Sequence, residues 1–293
     1  MSRARDIEFA ICEGLGADAM VREATAIGGG CISSAFRVTT HRGDFFLKLS
    51  SGAGDEMFRA EAIGLQALAQ SRILRIPQVI GHGELPAGRG AWLLLEHISP
   101  GDKPADFFSR FGRLLARLHL EARHPQCGFP TNNFIGSTPQ KNTWSPAWID
   151  FFREQRLCFQ LDLAARNGFH GELQKRGLEF LAKLGELMSE PEGDPCLLHG
   201  DLWGGNYLGD SSGNPVLIDP AVHYGHREAD LAMTQLFGGF PDVFLDAYQE
   251  VWPLESGWKN RFEIYQLYHQ LNHLNLFGSS YLSGCLQTLR KFT

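Results

Sequence analysis

The amino-acid sequence predicts an α+β protein of two lobes, with a small β-rich N-terminal lobe over residues 1–99 and a larger, mainly helical C-terminal lobe over residues 100–293. Three observations lead there. Strand and turn signals fill the first hundred residues, Pro100-Gly101 and Pro104 interrupt regular structure, and beyond them apolar residues recur at helical spacing. A chain of 293 residues exceeds the usual single-domain size yet suits one compact two-lobed protein.

Residues 35–40 and 45–49 read as the strands of a hairpin turned at residues 41–44. Residues 55–70 show helical spacing, with Phe58, Ala62, Leu65 and Ala69 on one stripe and Asp55 placed to cap the start. The apolar run 91–95 ends at Glu96-His97, just before the lobe boundary. Past it, Phe107, Phe111, Leu114, Leu115 and Leu118 form a helical stripe, and further helical patterns occupy residues 146–166, 171–188, 229–237 and 259–276. Residues 196–198 and 215–218 read as a short β-like pair around a polar, Gly-rich segment.

Composition narrows the function classes. With 43% hydrophobic and 20% charged residues the chain is an ordinary globular one, not a disordered or fibrous one. A formal charge of −6, with Lys and Arg scattered, argues against a nucleic-acid partner. The charged start Met-Ser-Arg-Ala-Arg-Asp and the short apolar stretches predict no membrane association and a cytoplasmic location. Six cysteines, Cys12, Cys31, Cys127, Cys158, Cys196 and Cys285, lie far apart without a Cys-x-x-Cys pair and are expected to be reduced thiols.

The densest group of chemically capable residues is His199-Gly-Asp-Leu-Trp-Gly-Gly-Asn206, followed by Ile218-Asp219. Phosphoryl transfer needs a carboxylate to orient or deprotonate the attacking hydroxyl, and oxygen donors to hold Mg²⁺ across nucleotide phosphates. Asp201 fits the first role, Asn206 and Asp219 the second. Lys48 lies among Phe45, Phe46, Leu47 and Leu49, and Glu61 falls on an apolar helix stripe, where an ionised carboxylate is costly unless paired. Each explains the other as an ion pair, with Lys48 free to hold phosphates. Ahead of them Gly28, Gly29 and Gly30 form a turn suited to backbone approach to phosphates. Cys31 in that turn is either a tolerated small residue or a thiol open to oxidation or to a disulfide with a second chain.

These residues resemble the fructosamine kinase (ketosamine 3-kinase) family nearly end to end. Besides the Gly28 turn and the His199 to Asn206 string, the resemblance rests on residues 128–140, Trp144, residues 148–152, Arg156-Leu157, and residues 218–221, 224–232, 237–240, 265–268 and 272–278. It implies a protein-kinase-like fold, ATP and Mg²⁺ as cofactors, and phosphorylation of the C3 hydroxyl of a small-molecule or protein-bound ketoamine, a deglycation repair activity. On this resemblance Asp201 is the catalytic carboxylate, Lys48 holds the nucleotide phosphates with Glu61 holding Lys48, and Asn206 and Asp219 bind the metal. Glu96 and Ile98 meet adenine through backbone groups, and Trp203 lines the substrate site. His223, His226 and Glu228 are wall and scaffold residues. Ribulosamines and erythrulosamines are expected ahead of fructosamines, and the protein is expected as a monomer, or a homodimer through Cys31. The rival readings are another small-molecule kinase of the aminoglycoside, choline or homoserine type, a metallohydrolase, and an inactive nucleotide-binding module.

Overall fold

The computed structural model describes residues 3–28, 33–51 and 54–293. They form two compact units. The first comprises Met1–Phe107 with Tyr207–Pro220, the second Phe108–Asn206 with Ala221–Thr293. The sequence division at residue 99 therefore differs in two ways: the first unit runs on to Phe107, and it takes up a later segment carrying Asp219.

The first unit opens with helix α1 (Arg3–Leu15), then β1 (Val21–Ile27), β2 (Ser34–Thr40), β3 (Gly43–Ser50), helix α2 (Asp55–Ala69), β4 (Val79–Glu84) and β5 (Ala91–Glu96). The five strands make one sheet in the order β1-β2-β3-β5-β4, and every neighbouring pair is antiparallel. Side chains alternate between faces of a strand. Leu47 and Leu49 of β3 accordingly join Phe36, Val38, Trp92 and Leu94 in a core that Ile7, Ala10 and Ile11 of α1 complete. Lys48, between them in sequence, turns to the other face, where α2 presents Glu61.

The expected hairpin is thus β2–β3, and the expected helix is α2. Two details differ. The buried stripe of α2 is Phe58, Ala62, Leu65 and Leu68, with Ala69 exposed, so the last turn is buried on the side of the larger Leu68 rather than on that of Ala69. Asp55 does not cap α2: it is the first helical residue, the N-cap is Gly54, and no side chain bonds the end.

Later in the chain β9 (Tyr207–Gly209) and β10 (Pro215–Leu217) form a hairpin in this unit. Its turn is held by Asp210, which accepts from the Ser212 and Asn214 amides at 2.9 and 2.8 Å. Arg75 pairs with both Asp210 and Glu96, and the Leu217 amide donates to the Arg75 carbonyl at 3.1 Å. These bonds seat the hairpin on the first hundred residues and deliver Asp219.

The second unit begins with α3 (Phe107–Glu121), whose first residue belongs to the first unit. After the hairpin β6 (Asn133–Ile135) and β7 (Thr138–Gln140), helix α4 (Trp148–Phe151) continues through the π-helical Phe152–Cys158 into α5 (Phe159–Arg166). A π turn inserts an extra residue and re-aims side chains. Here it carries Arg156, 1% exposed. Then come α6 (Glu172–Leu187), β8 (Cys196–Leu198), β11 (His223–Gly225), α7 (Glu228–Thr234), α8 (Asp242–Val251), α9 (Trp258–Phe277) and α10 (Leu282–Phe292). Among the described residues no helix is long and apolar enough to cross a membrane.

Residues 196–198 and 215–218 do not pair with each other. β8 pairs with β11 and β10 with β9, because the tight Asp210 turn closes a local hairpin before any longer-range pairing is needed. Helices α1, α8 and α10 have no counterpart among the sequence expectations. In α10 only Cys285, Thr288 and Leu289 are buried, a stripe too polar to stand out.

Candidate active site

In the first unit one ammonium joins two carboxylates. Lys48 Nζ donates to Glu61 Oε1 at 2.8 Å and to Asp219 Oδ1 at 2.6 Å. Lys48 is 8% exposed, so burial alone would push its pKa down, but the two carboxylates outweigh burial and raise it. Burial pushes the Glu61 carboxyl up, against the pull of Lys48. Asp219 is the most open of the three, with a half-exposed side chain, and its backbone adopts a left-handed φ of 54°. A non-glycine residue in that region is strained, and such strain gathers at functional sites.

In the second unit the loop after β8 carries Asp201 and Asn206. Asn206 Nδ2 donates to the Asp201 carbonyl at 2.8 Å and to Asp201 Oδ2 at 2.9 Å, fixing the carboxylate against the amide. The Trp203 amide donates to the Asp201 carbonyl and the Asn206 amide to the Trp203 carbonyl, at 3.2 and 3.0 Å. Trp203 is 38% exposed, and Gly205 lies so close to its ring that a Cβ there would stand 2.4 Å from it.

The base of this loop is anchored by a residue to which the sequence assigned no role. Buried Asp230 accepts from the His199 amide at 2.7 Å and the Gly200 amide at 2.8 Å, and also meets His119 Nε2 at 3.3 Å. Burial would raise its pKa, but His119 and the loop's groups hold it below the usual carboxylate value. Beside it, the Ala221 amide donates to the His199 carbonyl at 2.8 Å. Gly200 makes this approach possible: its φ is +83°, and a Cβ would stand 2.1 Å from the Ala221 carbonyl oxygen. Gly200→Ala is therefore expected to cost about 3 kcal/mol or more, since neither the backbone angle nor the neighbouring carbonyl can yield. Urea unfolding would measure it, and an unchanged midpoint would contradict this account.

Asn133, Gln140, Asn142 and Arg156 form a buried scaffold under the same loop. Gln140 Nε2 donates to the Ala221 carbonyl at 3.0 Å and Asn133 Nδ2 to the Val222 carbonyl at 2.8 Å. Arg156 donates to Asn142 Oδ1 at 2.7 Å, Asn142 to Asn133 Oδ1 at 3.0 Å, and Tyr268 to Gln140 Oε1 at 2.7 Å. No sequence pattern separates such buried amides from surface turn residues.

Lys48, Glu61 and Asp219 thus come together in one unit, and Asp201 and Asn206 in the other. Asp219 and Asn206 carry the hard oxygen donors that Mg²⁺ takes. The Glu96 amide donates to the Gln78 carbonyl at 2.8 Å, so among its backbone groups only the carbonyl can serve a nucleotide. Ile98 is buried, and Gly28 is exposed with open space where a Cβ would stand. Gly29, Gly30 and Cys31 lie outside the described residues. The other five cysteines are free thiols. His226 Nδ1 bonds the Tyr265 hydroxyl at 2.8 Å and Glu228 takes two bonds from Arg261, consistent with scaffold duties.

The family model for fructosamine kinase matches residues 4–293. The chain belongs to the fructosamine kinase family. It is accordingly a phosphotransferase. The protein-ribulosamine 3-kinase of Arabidopsis thaliana, a chloroplastic protein, is 41% identical over 265 residues, which is 90% of this chain and 80% of that one. The crystal structure of a Haemophilus somnus 129PT protein assigned as a fructosamine-3-kinase superposes with a TM-score of 0.87 at 28% identity, covering 99% of this chain and 97% of that one. An aminoglycoside phosphotransferase superposes with a TM-score of 0.67 at 16% identity, covering 99% of each chain. That last likeness is one of fold, and this chain is protein-kinase-like, with an antiparallel sheet in its N-terminal part and a mostly helical remainder.

Proposed function

We propose that this protein transfers the γ-phosphoryl group of ATP, with Mg²⁺, to the C3 hydroxyl of ketoamines in deglycation repair, and that it takes ribulosamines and erythrulosamines ahead of fructosamines. The observation that carries the reading is the Lys48 ammonium held at 2.8 and 2.6 Å by Glu61 and Asp219. A surface ion pair would not bury a lysine between two acids, whereas a kinase uses such a lysine on the nucleotide phosphates and a helix glutamate to hold it.

Lys48 is assigned to the phosphates, with Glu61 fixing its direction. Asp219 and Asn206 are assigned as oxygen donors to Mg²⁺, which supplies charge neutralisation on the phosphoryl oxygens. The glycines at 28–30 are assigned to the phosphates, and the Glu96 and Ile98 backbone to adenine. Asp201 accepts or orients the C3 hydroxyl proton, its carboxylate held by Asn206. Trp203 offers an exposed flat indole to sugar C–H groups and an N–H donor to a hydroxyl. The ribulosamine kinase relative from Arabidopsis supports the smaller sugar.

The test is Mg²⁺-dependent ADP release from ATP with ribulosamine, erythrulosamine, fructosamine, choline and an aminoglycoside. Turnover with ketoamines alone, fastest with the four- and five-carbon sugars, is expected. Turnover with choline or the aminoglycoside alone would retain the kinase and overturn the ketoamine assignment.

A further inference from the structure

His269, on α9, is 4% exposed, and its Nδ1 is buried without a hydrogen-bond partner. Buried polar atoms are nearly always bonded, and an exception calls for a reason. The same Nδ1 faces Asp201 Oδ1 at 3.8 Å. His269 also lines a cavity of about 10 Å³, scarcely one water molecule in size, together with Gly200, Arg156, His223 and Asp230. The unbonded nitrogen therefore sits beside the reactive carboxylate and the glycine that shapes its loop.

We infer that His269 is a positioning residue for Asp201, its Nδ1–H donating to Asp201 Oδ1 while Asn206 holds Oδ2, so that the carboxylate is clamped from both sides. The inference rests on the proposed role of Asp201 as acceptor of the substrate hydroxyl proton. Three arguments support it. A neutral imidazole carries its proton on one nitrogen, and a carboxylate facing Nδ1 selects the Nδ1–H tautomer, since a bare lone pair there would face negative charge. Carboxylate rotation about its last torsion is soft, and a donor on Oδ1 adds to the hold that Asn206 has on Oδ2. The 3.8 Å separation lies just beyond hydrogen-bond range, a gap that a small turn of either side chain closes, and catalytic hydrogen bonds of this kind tighten when substrate binds.

Charge favours the same arrangement. Burial, helped by His273 and Arg156, pushes the His269 pKa down to about 3, so the ring is neutral wherever the enzyme works. A neutral donor orients the carboxylate without the loss of basicity that an adjacent cation would impose.

The experiment compares His269→Leu, which fills the space without a donor, with His269→Asn, whose amide N–H can stand near the Nδ1 position. Both are assayed on ribulosamine beside Asp201→Asn. His269→Leu is expected to lower kcat by about 10- to 100-fold with KM for ATP and ribulosamine within about twofold, and His269→Asn to recover most of that loss. Full kcat in His269→Leu, or a loss carried by KM, would overturn the inference, as would equal losses in the two variants. Should His269→Leu fold poorly, the long-range proton–nitrogen spectrum of the wild-type imidazole decides: an Nδ1–H tautomer for His269 supports the clamp, and an Nε2–H tautomer refutes it. Retained turnover in Asp201→Asn would instead remove the proposed role of Asp201 itself, so the two failures are distinguishable.

Discussion

Asp201→Asn is expected to lower kcat on a ketoamine by about 100- to 10,000-fold, the range that a positioned general base contributes, while leaving ATP affinity within about twofold. The substitution keeps the shape of the side chain and exchanges one carboxylate oxygen for an amide nitrogen. Its neighbours can adapt. The carbonyl oxygen of the new amide can accept from Asn206 Nδ2 as Asp201 Oδ2 does at 2.9 Å, and the backbone bond from Asn206 to the Asp201 carbonyl is untouched. With the loop held from below by Asp230 and Ala221, the melting temperature should stay close to wild type. Loss of turnover in a folded, nucleotide-binding protein then reports on the carboxylate, as proton acceptor and as the partner of His269, rather than on the fold. A kcat within tenfold of wild type would remove Asp201 from the chemistry.

How much of this was legible in the sequence depended on whether a residue violated its surroundings. Lys48 in an apolar strand and Glu61 on an apolar helix stripe each broke a local pattern, and the break pointed to the pair that the structure shows. Asp219, 171 positions from Lys48, could be matched to a role only through the kinase-like spacing that precedes it, because no periodicity links residues so far apart. The β-like segments 196–198 and 215–218 were recognisable as strands, yet their partners β11 and β9 were not, since three-residue strands carry almost no alternation.

Asn133, Gln140 and Asp230 lie in stretches that carry the resemblance, yet they, like His119 and Asn142, received no role, for a different reason. Each is a polar residue of a type common at surfaces, and only burial, invisible in sequence, separates a scaffold amide from a turn amide. The π-helical step at Phe152–Cys158 is similarly hidden, because one additional residue in a turn leaves the apolar spacing of residues 146–166 looking helical. Sequence therefore disclosed the groups assigned to the chemistry more readily than the groups that hold them in place.

Lys48→Met should remove activity and expose what the ammonium does for the fold. Loss of a positioned donor to developing phosphoryl charge is expected to lower kcat by about 100- to 1,000-fold. Stability should fall by about 3 kcal/mol, the lower end for breaking a buried pair, since Asp219 is half exposed and Glu61 can take up a proton. The pH dependence distinguishes the two acids from the lysine. The folded-state pKa of Lys48 is raised above 10.5, so its stabilisation is complete below that pH and is lost as pH rises through the folded value. In the variant Glu61 keeps the upward push of burial without the pull of Lys48, and so folds most easily as the neutral acid. The deficit of Lys48→Met relative to wild type should therefore be small near pH 5, grow toward neutrality, and shrink again in strong alkali. Adding Glu61→Gln to Lys48→Met should recover most of the stability and none of the turnover. Thermal melts across pH, with ADP release at neutral pH, test both halves. Recovery of activity in the double variant would mean that Lys48 serves the fold and not the phosphates, whereas a deficit that does not vary with pH would mean that Glu61 carries no charge for Lys48 to balance.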